Sequence, residues 1–324
     1  MNTNLPFAPL TNPRASAEAK AVMDYLMQVS GKGILTGQHT QTIPQEELNH
    51  IQAVTGKLPA VCGFELLGYS PNINYADAGE ACLKEVKENQ GTLETAMEWA
   101  EKKGLLTFTF HWFSPLGGRD KSFYAENTDF DASRALIKGT PEHQAMLSDM
   151  DVIAELLKKF RDRHIPILWR PFHEADGTWF WWGAKGYETA KGLWRTMYQR
   201  YTQVHDLNNL IWVWNSPVPE EYPGDDCVDI ISRDIYAPAH SHTDLKKEFD
   251  ELSRITDAHK LAALGENGPL PGIDQIAQSH VPWCWYMTWS KDFVLEESCT
   301  TKEELVAAYT HPYAITLDRL PALY

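Results

Sequence analysis

Two glutamates, each closing an apolar run, are the residues best placed in this sequence to do chemistry. Glu174 ends the stretch Leu-Trp-Arg-Pro-Phe-His-Glu, and Glu266 ends the stretch Leu-Ala-Ala-Leu-Gly-Glu. Paired carboxylates are the usual machinery of glycosidic bond cleavage, in which one protonates the leaving oxygen while the other attacks the anomeric carbon or activates water. The pair therefore predicts acid–base chemistry on a sugar.

Aromatic residues crowd the first of these glutamates. Phe172, His173 and the run 179–182 (Trp-Phe-Trp-Trp) lie around Glu174 in the sequence, and desolvation by such neighbours raises the pKa of a carboxyl group and favours an acid role. Glu266 is flanked by glycines and an asparagine, so we expect more polar surroundings in which it stays ionised as a nucleophile. An ion pair at a strand end or a buried aromatic patch would explain either feature alone, but not both together.

Histidines that close strand-like runs raise the alternative of a metal-dependent barrel hydrolase, because imidazole is a common zinc ligand. They are His39, His111 and His173. The first run has no His-x-His pair, the His-Glu-x-x-His spacing does not occur, and His240 and His242 fall in a loop past the sixth run. We therefore expect no metal and no cofactor in the reaction, and predict that the strand-end histidines bind substrate hydroxyls or orient the carboxylates.

Short β-rich runs alternate with longer amphipathic segments, a pattern typical of βα units and a parallel sheet. The clearest intervening helix is predicted over 142–161, where apolar residues recur at three- and four-residue steps. Eight runs are recognised, the number required by a closed (β/α)8 TIM barrel. They are 33–37, 60–64, 105–110, 165–169, 210–214, 228–236, 261–264 and 281–286. Because several end in polar residues, we expect the site at the carboxyl ends of the strands.

Composition limits the classes of partner. The chain has 324 residues, and 44 acidic against 29 basic side chains give a net charge of -15, which disfavours nucleic acid. No apolar run is long enough to cross a membrane, and the five cysteines form no Cys-x-x-Cys pair. We expect one catalytic domain over 1–324, with 1–30 as a lead-in helix or segment, acting as a monomer. The N-terminus lacks a signal-peptide pattern, which leaves a cytoplasmic protein or a secreted one with its signal removed.

The block 169–174 (Trp-Arg-Pro-Phe-His-Glu), with 177–183 (Gly-Thr-Trp-Phe-Trp-Trp-Gly), resembles the acid/base block of glycoside hydrolase family 26. In that family the glutamate ends the fourth strand and a histidine precedes it. Glu266 matches the nucleophile position on the seventh strand. Further segments that resemble the family are 33–39, 110–112, 234–236 and Trp289.

The resemblance implies a retaining (β/α)8-barrel hydrolase in which Glu174 is the acid/base and Glu266 the nucleophile. It implies cleavage of internal β-1,4-mannosidic bonds in mannan, glucomannan or galactomannan. Residues expected to hold and distort the sugar are His111, Trp112, His173, Trp179, Asp234, Tyr236 and Trp289. Alternatives are the same mechanism on β-1,3-xylan or mixed-linkage β-glucan, an exo-acting mannobiohydrolase, and, in other classes, a noncatalytic β-glycan-binding barrel or a metal-dependent hydrolase.

Overall fold

The computed structural model describes residues 6–324, in which nine strands form. They are β1 (Ile34–Leu35), β2 (Gly37–His39), β3 (Val61–Glu65), β4 (Leu105–Thr109), β5 (Ile167–Arg170), β6 (Leu210–Asn215), β7 (Ile230–Ile235), β8 (Leu261–Asn267) and β9 (Ala314–Ile315). Strands β2 to β8 make one sheet in which each strand pairs in parallel with the next along the chain. This curled parallel sheet confirms the predicted barrel class.

The barrel is closed by the segment 283–288, which stands where the eighth strand was predicted. It forms isolated parallel bridges rather than a continuous ladder, with Thr288 bridging both Gln38 of β2 and Asn267 of β8. At this seam a Cβ on Gly37 would lie 2.1 Å from the carbonyl oxygen of Tyr286, so only glycine permits the approach. The expected eighth strand is thus present as a closing segment with irregular pairing.

The predicted first run is divided into two short strands. β1 pairs in parallel with β9, a strand that the sequence analysis did not predict, and β2 joins the barrel sheet. Both pairings are only two or three residues long, and local periodicity carries no information about a partner some 280 residues away along the chain.

Ten α-helices lie between or beside the strands. They are α1 (Ala17–Val29), α2 (Glu46–Thr55), α3 (Glu80–Glu88), α4 (Thr92–Glu101), α5 (Pro141–Arg161), α6 (Tyr187–Gln199), α7 (Lys246–Leu252), α8 (Ile273–Ser279), α9 (Asp292–Leu295) and α10 (Lys302–Thr310), counted within 6–324. The helix expected over 142–161 is confirmed as α5, which begins with a Thr140 cap and proline in its first turn. Helix α1 lies in the predicted lead-in segment, of which residues 1–5 fall outside the described part.

Alternation along the strands separates two apolar layers. In β6, Ile211 and Val213 belong to the cluster inside the barrel, whereas Trp212 and Trp214 pack outward against Trp194 of α6. Within the described residues, no helix is long and apolar enough to cross a membrane. The single-domain assignment for 1–324 stays a prediction.

Candidate active site

Three carboxylates meet where β5, β7 and β8 end. Glu174 follows β5, Asp234 lies in β7, and Glu266 lies opposite Asp234 in β8, beyond a register shift between Arg233 and Asp234. One oxygen from each of the three lies within 4.8 Å of the others. Retaining glycosidases hold their two carboxyl groups about 5–5.5 Å apart, and inverting enzymes about 6.5–9.5 Å. The pair Glu174 and Glu266 has the short separation that suits a nucleophile rather than an intervening water.

The close approach of these carboxylates depends on the residue before the second glutamate. A Cβ on Gly265 would lie 2.6 Å from Oδ1 of Asp234 and 2.7 Å from Nδ2 of Asn215. A side chain at this position would push Asp234 out of place. The glycine in Leu-Gly-Glu is therefore part of the site's construction.

Arg170, the last residue of β5, supplies the positive charge that the carboxylates require. Its side chain is 2% exposed and donates to both oxygens of Asp234 at 3.0 and 3.2 Å and to Oε1 of Glu266. Sequence reasoning did not assign Arg170, although a charged residue inside an apolar strand is itself a signal, since buried arginine is nearly always paired.

Glu266 is more deeply buried than expected, which corrects the prediction of more polar surroundings. Burial, and then the nearby Asp234 carboxylate, raise the pKa of Glu266, while the Arg170 guanidinium lowers it. Both of its oxygens accept hydrogen bonds: Oε1 from Arg170 and Oε2 from the hydroxyl of Tyr236 at 2.6 Å. Both donors favour the charged form, so the anion of Glu266 is held by directed hydrogen bonds and not by exposure to water.

Glu174 lies on a strained turn. Its φ is 50° and that of Phe172 is 53°, in the left-handed region that non-glycine residues seldom adopt. The backbone N–H of Glu174 donates to Oδ1 of Asn215 at 2.6 Å, and Nδ2 of Asn215 donates to Asp234 at 2.8 Å. Asn215, the polar residue that ends β6, therefore fixes the position of the acid/base candidate.

The hydrogen bonds of Glu174 and Glu266 indicate which of the two carboxyl groups carries a proton. Burial, and then Asp234, raise the pKa of Glu174, as expected from its aromatic neighbours. Among the described residues only its Oε2 is engaged, by the indole N–H of Trp179 at 2.8 Å, which leaves Oε1 to carry a proton. Both oxygens of Glu266 are occupied by donors. The hydrogen bonds therefore favour a protonated Glu174 beside an ionised Glu266, with apparent pKa values that belong to the pair.

Removing the hydroxyl of Tyr236 tests how Glu266 is kept ionised. In Tyr236→Phe the 2.6 Å hydrogen bond to the carboxylate is lost, which costs about 1.5–3 kcal/mol for a charged acceptor, or roughly 10- to 100-fold in kcat/KM. Because that bond favours the anion, its loss raises the pKa of Glu266. The acid limb of the kcat/KM profile should therefore move to higher pH.

The control is Tyr222→Phe, which removes another tyrosine hydroxyl bonded to a carboxylate, that of Asp225, at 2.7 Å. This variant should keep the acid limb of the parent protein. If both variants leave the acid limb where it is, Tyr236 does not act through Glu266.

A histidine network borders the carboxylates. His111 donates its backbone N–H and its ring Nδ1–H to Glu65, at 2.8 and 2.7 Å. Burial opposes this ion pair, but His111 lowers the pKa of Glu65 to about 2, and Glu65 raises the pKa of His111. Burial lowers the pKa of His173 well below its usual value, so its ring stays neutral, and its Nε2 lies 3.3 Å from Nε2 of His111. The two predicted histidines are therefore brought together.

Two tryptophans that were expected to hold the sugar, Trp179 and Trp289, have accessible faces. Trp289 lies beside the buried ring of His39, with centroids 4.2 Å apart, and lines a cavity together with His111 and Glu65. Trp179 is 48% exposed next to Glu174. Such faces can stack on pyranose rings while their edges stay hydrated.

The structure contradicts the prediction that Trp112 contacts the substrate. Its side chain is 1% exposed, and its indole N–H donates to Asp149 of α5 at 2.8 Å. The ring packs on Phe110 and Trp181 because residues that alternate beyond the end of β4 point into the layer between sheet and helices. Trp112 supports the loop that carries the site and presents no face to a sugar.

Replacing Trp179, whose indole is exposed, gives a second prediction about pH dependence. In Trp179→Phe, loss of the hydrogen bond to Glu174 removes a contribution that lowers the pKa of this group. Since Glu174 must be protonated to act as an acid, the basic limb of the rate profile should move to higher pH, and KM should rise about fivefold for a lost contact worth about 1 kcal/mol. Tyr187→Phe, at an exposed ring on α6, should change neither; an unchanged basic limb in Trp179→Phe would contradict the contact.

Two clusters among residues 6–324 bring three possible metal ligands together: Glu174 with Asp234 and Glu266, and His240 with His242 and Glu304. In the cluster of Glu174, Asp234 and Glu266, the guanidinium of Arg170 already supplies the countercharge. This cluster therefore suits an oxocarbenium-ion-like transition state rather than a metal ion. His39, His111 and His173 belong to neither cluster.

A parallel barrel with a closely spaced glutamate pair at the carboxyl ends of its strands defines the class of (β/α)8-barrel glycoside hydrolases. The family model described as Glycosyl hydrolase family 26 matches residues 11–319. The chain belongs to glycosyl hydrolase family 26.

Similar proteins can be aligned with nearly the whole chain. A mannan endo-1,4-beta-mannosidase of Thermothelomyces thermophilus is 38% identical over 96% of this chain and 63% of its own length, and mannan endo-1,4-beta-mannosidase B of a Piromyces species is 34% identical over 97% and 54%. This chain thus spans between half and two thirds of these relatives. A β-mannanase of a symbiotic protist of the termite Reticulitermes speratus, solved with a gluco-manno-oligosaccharide, is 30% identical, with a TM-score of 0.87 over 98% of this chain and 100% of that one. The GH26-CBM35 β-(1,4)-mannanase of Podospora anserina is 35% identical, with a TM-score of 0.87 over 98% and 70%.

Proposed function

We propose that this protein hydrolyses internal β-1,4-mannosidic bonds of mannan, glucomannan or galactomannan with retention of configuration. The observation that carries the reaction class is the approach of Glu174 and Glu266 within 4.8 Å. The support for the substrate comes from the relatives, several of which are named mannan endo-1,4-beta-mannosidases. The fold by itself does not select a substrate.

In the first step Glu266 attacks the anomeric carbon while Glu174 protonates the leaving oxygen. Departure of the leaving sugar yields a glycosyl ester on Glu266. As the carboxylate loses its charge, Nη1 of Arg170 keeps its contact with both oxygens of Asp234, so the guanidinium remains paired throughout. Tyr236, bonded to Oε2, holds the carboxylate so that one oxygen faces the sugar.

In the second step Glu174 acts as a base. Having given up its proton, it accepts one from a water molecule that attacks the anomeric carbon, and Glu266 leaves as the carboxylate. The strained turn and the Asn215 hydrogen bond hold Glu174 in one position for both roles. We assign His111, Trp179, Asp234, Tyr236 and Trp289 to positioning the sugar and the carboxylates, with neutral, buried His173 packed against His111.

The test is product analysis by chromatography, with the pure protein in EDTA on linear β-1,4-mannan, galactomannan, glucomannan, β-1,3-xylan and mixed-linkage β-glucan. A ladder of manno-oligosaccharides is expected, with the β-anomer formed first when products are followed by NMR. Mannobiose alone would replace the endo mode by an exo mode.

Other outcomes would overturn defined parts of the proposal. Cleavage of xylan or mixed-linkage glucan without mannan would keep the mechanism and change the substrate. Binding to mannan without any product would favour a noncatalytic binding barrel, and loss of activity in EDTA with recovery in zinc would favour metal-dependent hydrolysis. A monomeric state remains a prediction.

A further inference from the structure

A second group of titratable side chains lies apart from the carboxylate cluster. His240 and His242 are in the loop that follows β7, and Glu304 is in the first turn of α10. Nε2 of His242 lies 2.8 Å from Oε1 of Glu304, and Nδ1 of His240 lies 3.1 Å from both carboxylate oxygens. One ligand atom from each residue falls within 4.8 Å of the others.

The tautomer of His242 is fixed by its other nitrogen. Nδ1 lies 2.8 Å from the carbonyl oxygen of Leu270, and because a carbonyl can only accept, Nδ1 carries the hydrogen. In the neutral ring Nε2 then presents a lone pair toward Glu304. This buried nitrogen makes no hydrogen bond of acceptable geometry within the described residues, despite the short distance. A lone pair facing a carboxylate requires a positive charge between them, which either a proton on Nε2 or a metal ion can supply.

The surroundings supply the outer contacts that a metal ligand needs. A histidine ligand characteristically donates its free ring N–H to a backbone carbonyl, as His242 does to Leu270. Oε2 of Glu304 accepts the backbone N–H of Thr301 at 2.7 Å in a capping box, which holds the carboxylate in place and leaves Oε1 toward the histidines.

We propose that His240, His242 and Glu304 bind one divalent transition-metal ion, and that this ion joins the loop after β7 to α10. Two imidazoles and one carboxylate, with water in a fourth position, form a ligand set that suits Zn²⁺. The site is structural. It is distinct from Glu174 and Glu266, so its occupancy stabilises the fold without taking part in the reaction, and the proposal does not depend on the proposed function.

The experiment uses the full chain, stripped with a chelator and titrated with ZnCl2 by calorimetry, with Tm measured in parallel. We expect one Zn²⁺ per chain and a Tm rise of about 5 °C when free zinc exceeds the Kd about 100-fold. In His242→Gln and Glu304→Gln the affinity should fall at least about 100-fold, since changes outside the ligand shell alone cost about 10- to 100-fold.

Glu304→Gln keeps a residue that can close the capping box, so α10 should remain folded. The matched control is His164→Gln, the same change at a histidine that lies 3.4 Å from a single glutamate, Glu18, outside the proposed site. This control should bind zinc like the parent protein.

The proposal is overturned if excess zinc gives neither heat nor a Tm shift, or if His242→Gln and Glu304→Gln both bind zinc as the parent protein does. It is also overturned if binding survives in Glu304→Gln and disappears in Glu266→Gln, which would place the ion at the carboxylate cluster. Loss of glycan hydrolysis in the parent protein after chelation would contradict the structural role.

Discussion

Replacing Glu266 with glutamine is expected to lower kcat by about 10⁴-fold or more, because the amide cannot form the glycosyl ester on which both steps depend. The side chain keeps its size and can still contact Arg170 and Tyr236, so the fold should survive. Burst experiments with an activated aryl glycoside are the measurement. Neither a burst nor steady turnover should appear, since the first step itself is lost.

The matched control is Asp229→Asn, the same acid-to-amide change at another buried carboxylate of the barrel. Asp229 precedes β7 at the opposite end of the sheet and accepts from the backbone N–H groups of Thr11 and Trp212. This variant should lose stability but retain kcat. If Glu266→Gln turned over within tenfold of the parent protein, Glu266 would not be the nucleophile.

Replacing Glu174 with alanine is expected to lower kcat on glycans by about 10²- to 10⁴-fold, the usual contribution of a positioned general acid or base. An aryl glycoside with an acidic leaving group needs no proton, so its first step should proceed and give a burst. Water then lacks a base, and the intermediate should accumulate. Azide, which needs no deprotonation and fits the space left by the carboxylate, should restore turnover and yield a β-glycosyl azide.

Asp176→Ala is the control for this variant, because Asp176 is an exposed carboxylate two residues further along the same loop. It should show neither the loss nor the azide effect. Equal, unrescued losses in Glu174→Ala and Glu266→Gln would mean that the two glutamates do not divide the acid/base and nucleophile roles as assigned.

These predictions depend on the charges around Glu174 and Glu266, which favour a proton on Glu174 and an ionised Glu266. Arg170 is paired with two carboxylates at once, so removing it would leave both buried without a cation, at a cost of about 3–5 kcal/mol. The same guanidinium opposes the rise in the pKa of Glu266. Stability and ionisation of the nucleophile are thus coupled through one side chain.

The sequence by itself determined the barrel class, helix α5 and the positions of the two glutamates. Each of these features is encoded by a local sequence pattern. Helix α5 follows from apolar residues at three- and four-residue steps, the strands from short β-rich runs, and the site from the polar residues that end those runs. Because the carboxyl ends of parallel strands converge on one face of a barrel, residues far apart in the chain could be assigned to one site without coordinates.

Only the tertiary structure decided which side chains face the substrate and what holds the carboxylates. Arg170, read as part of an apolar run, is the cation between Asp234 and Glu266, whereas Trp112, expected to contact the sugar, is buried. The burial of Glu266, the pairing of β1 with β9, and the meeting of His242 with Glu304 were equally out of reach. All of these depend on neighbours supplied by distant segments, and burial and pKa are set by such neighbours rather than by residue type or local spacing.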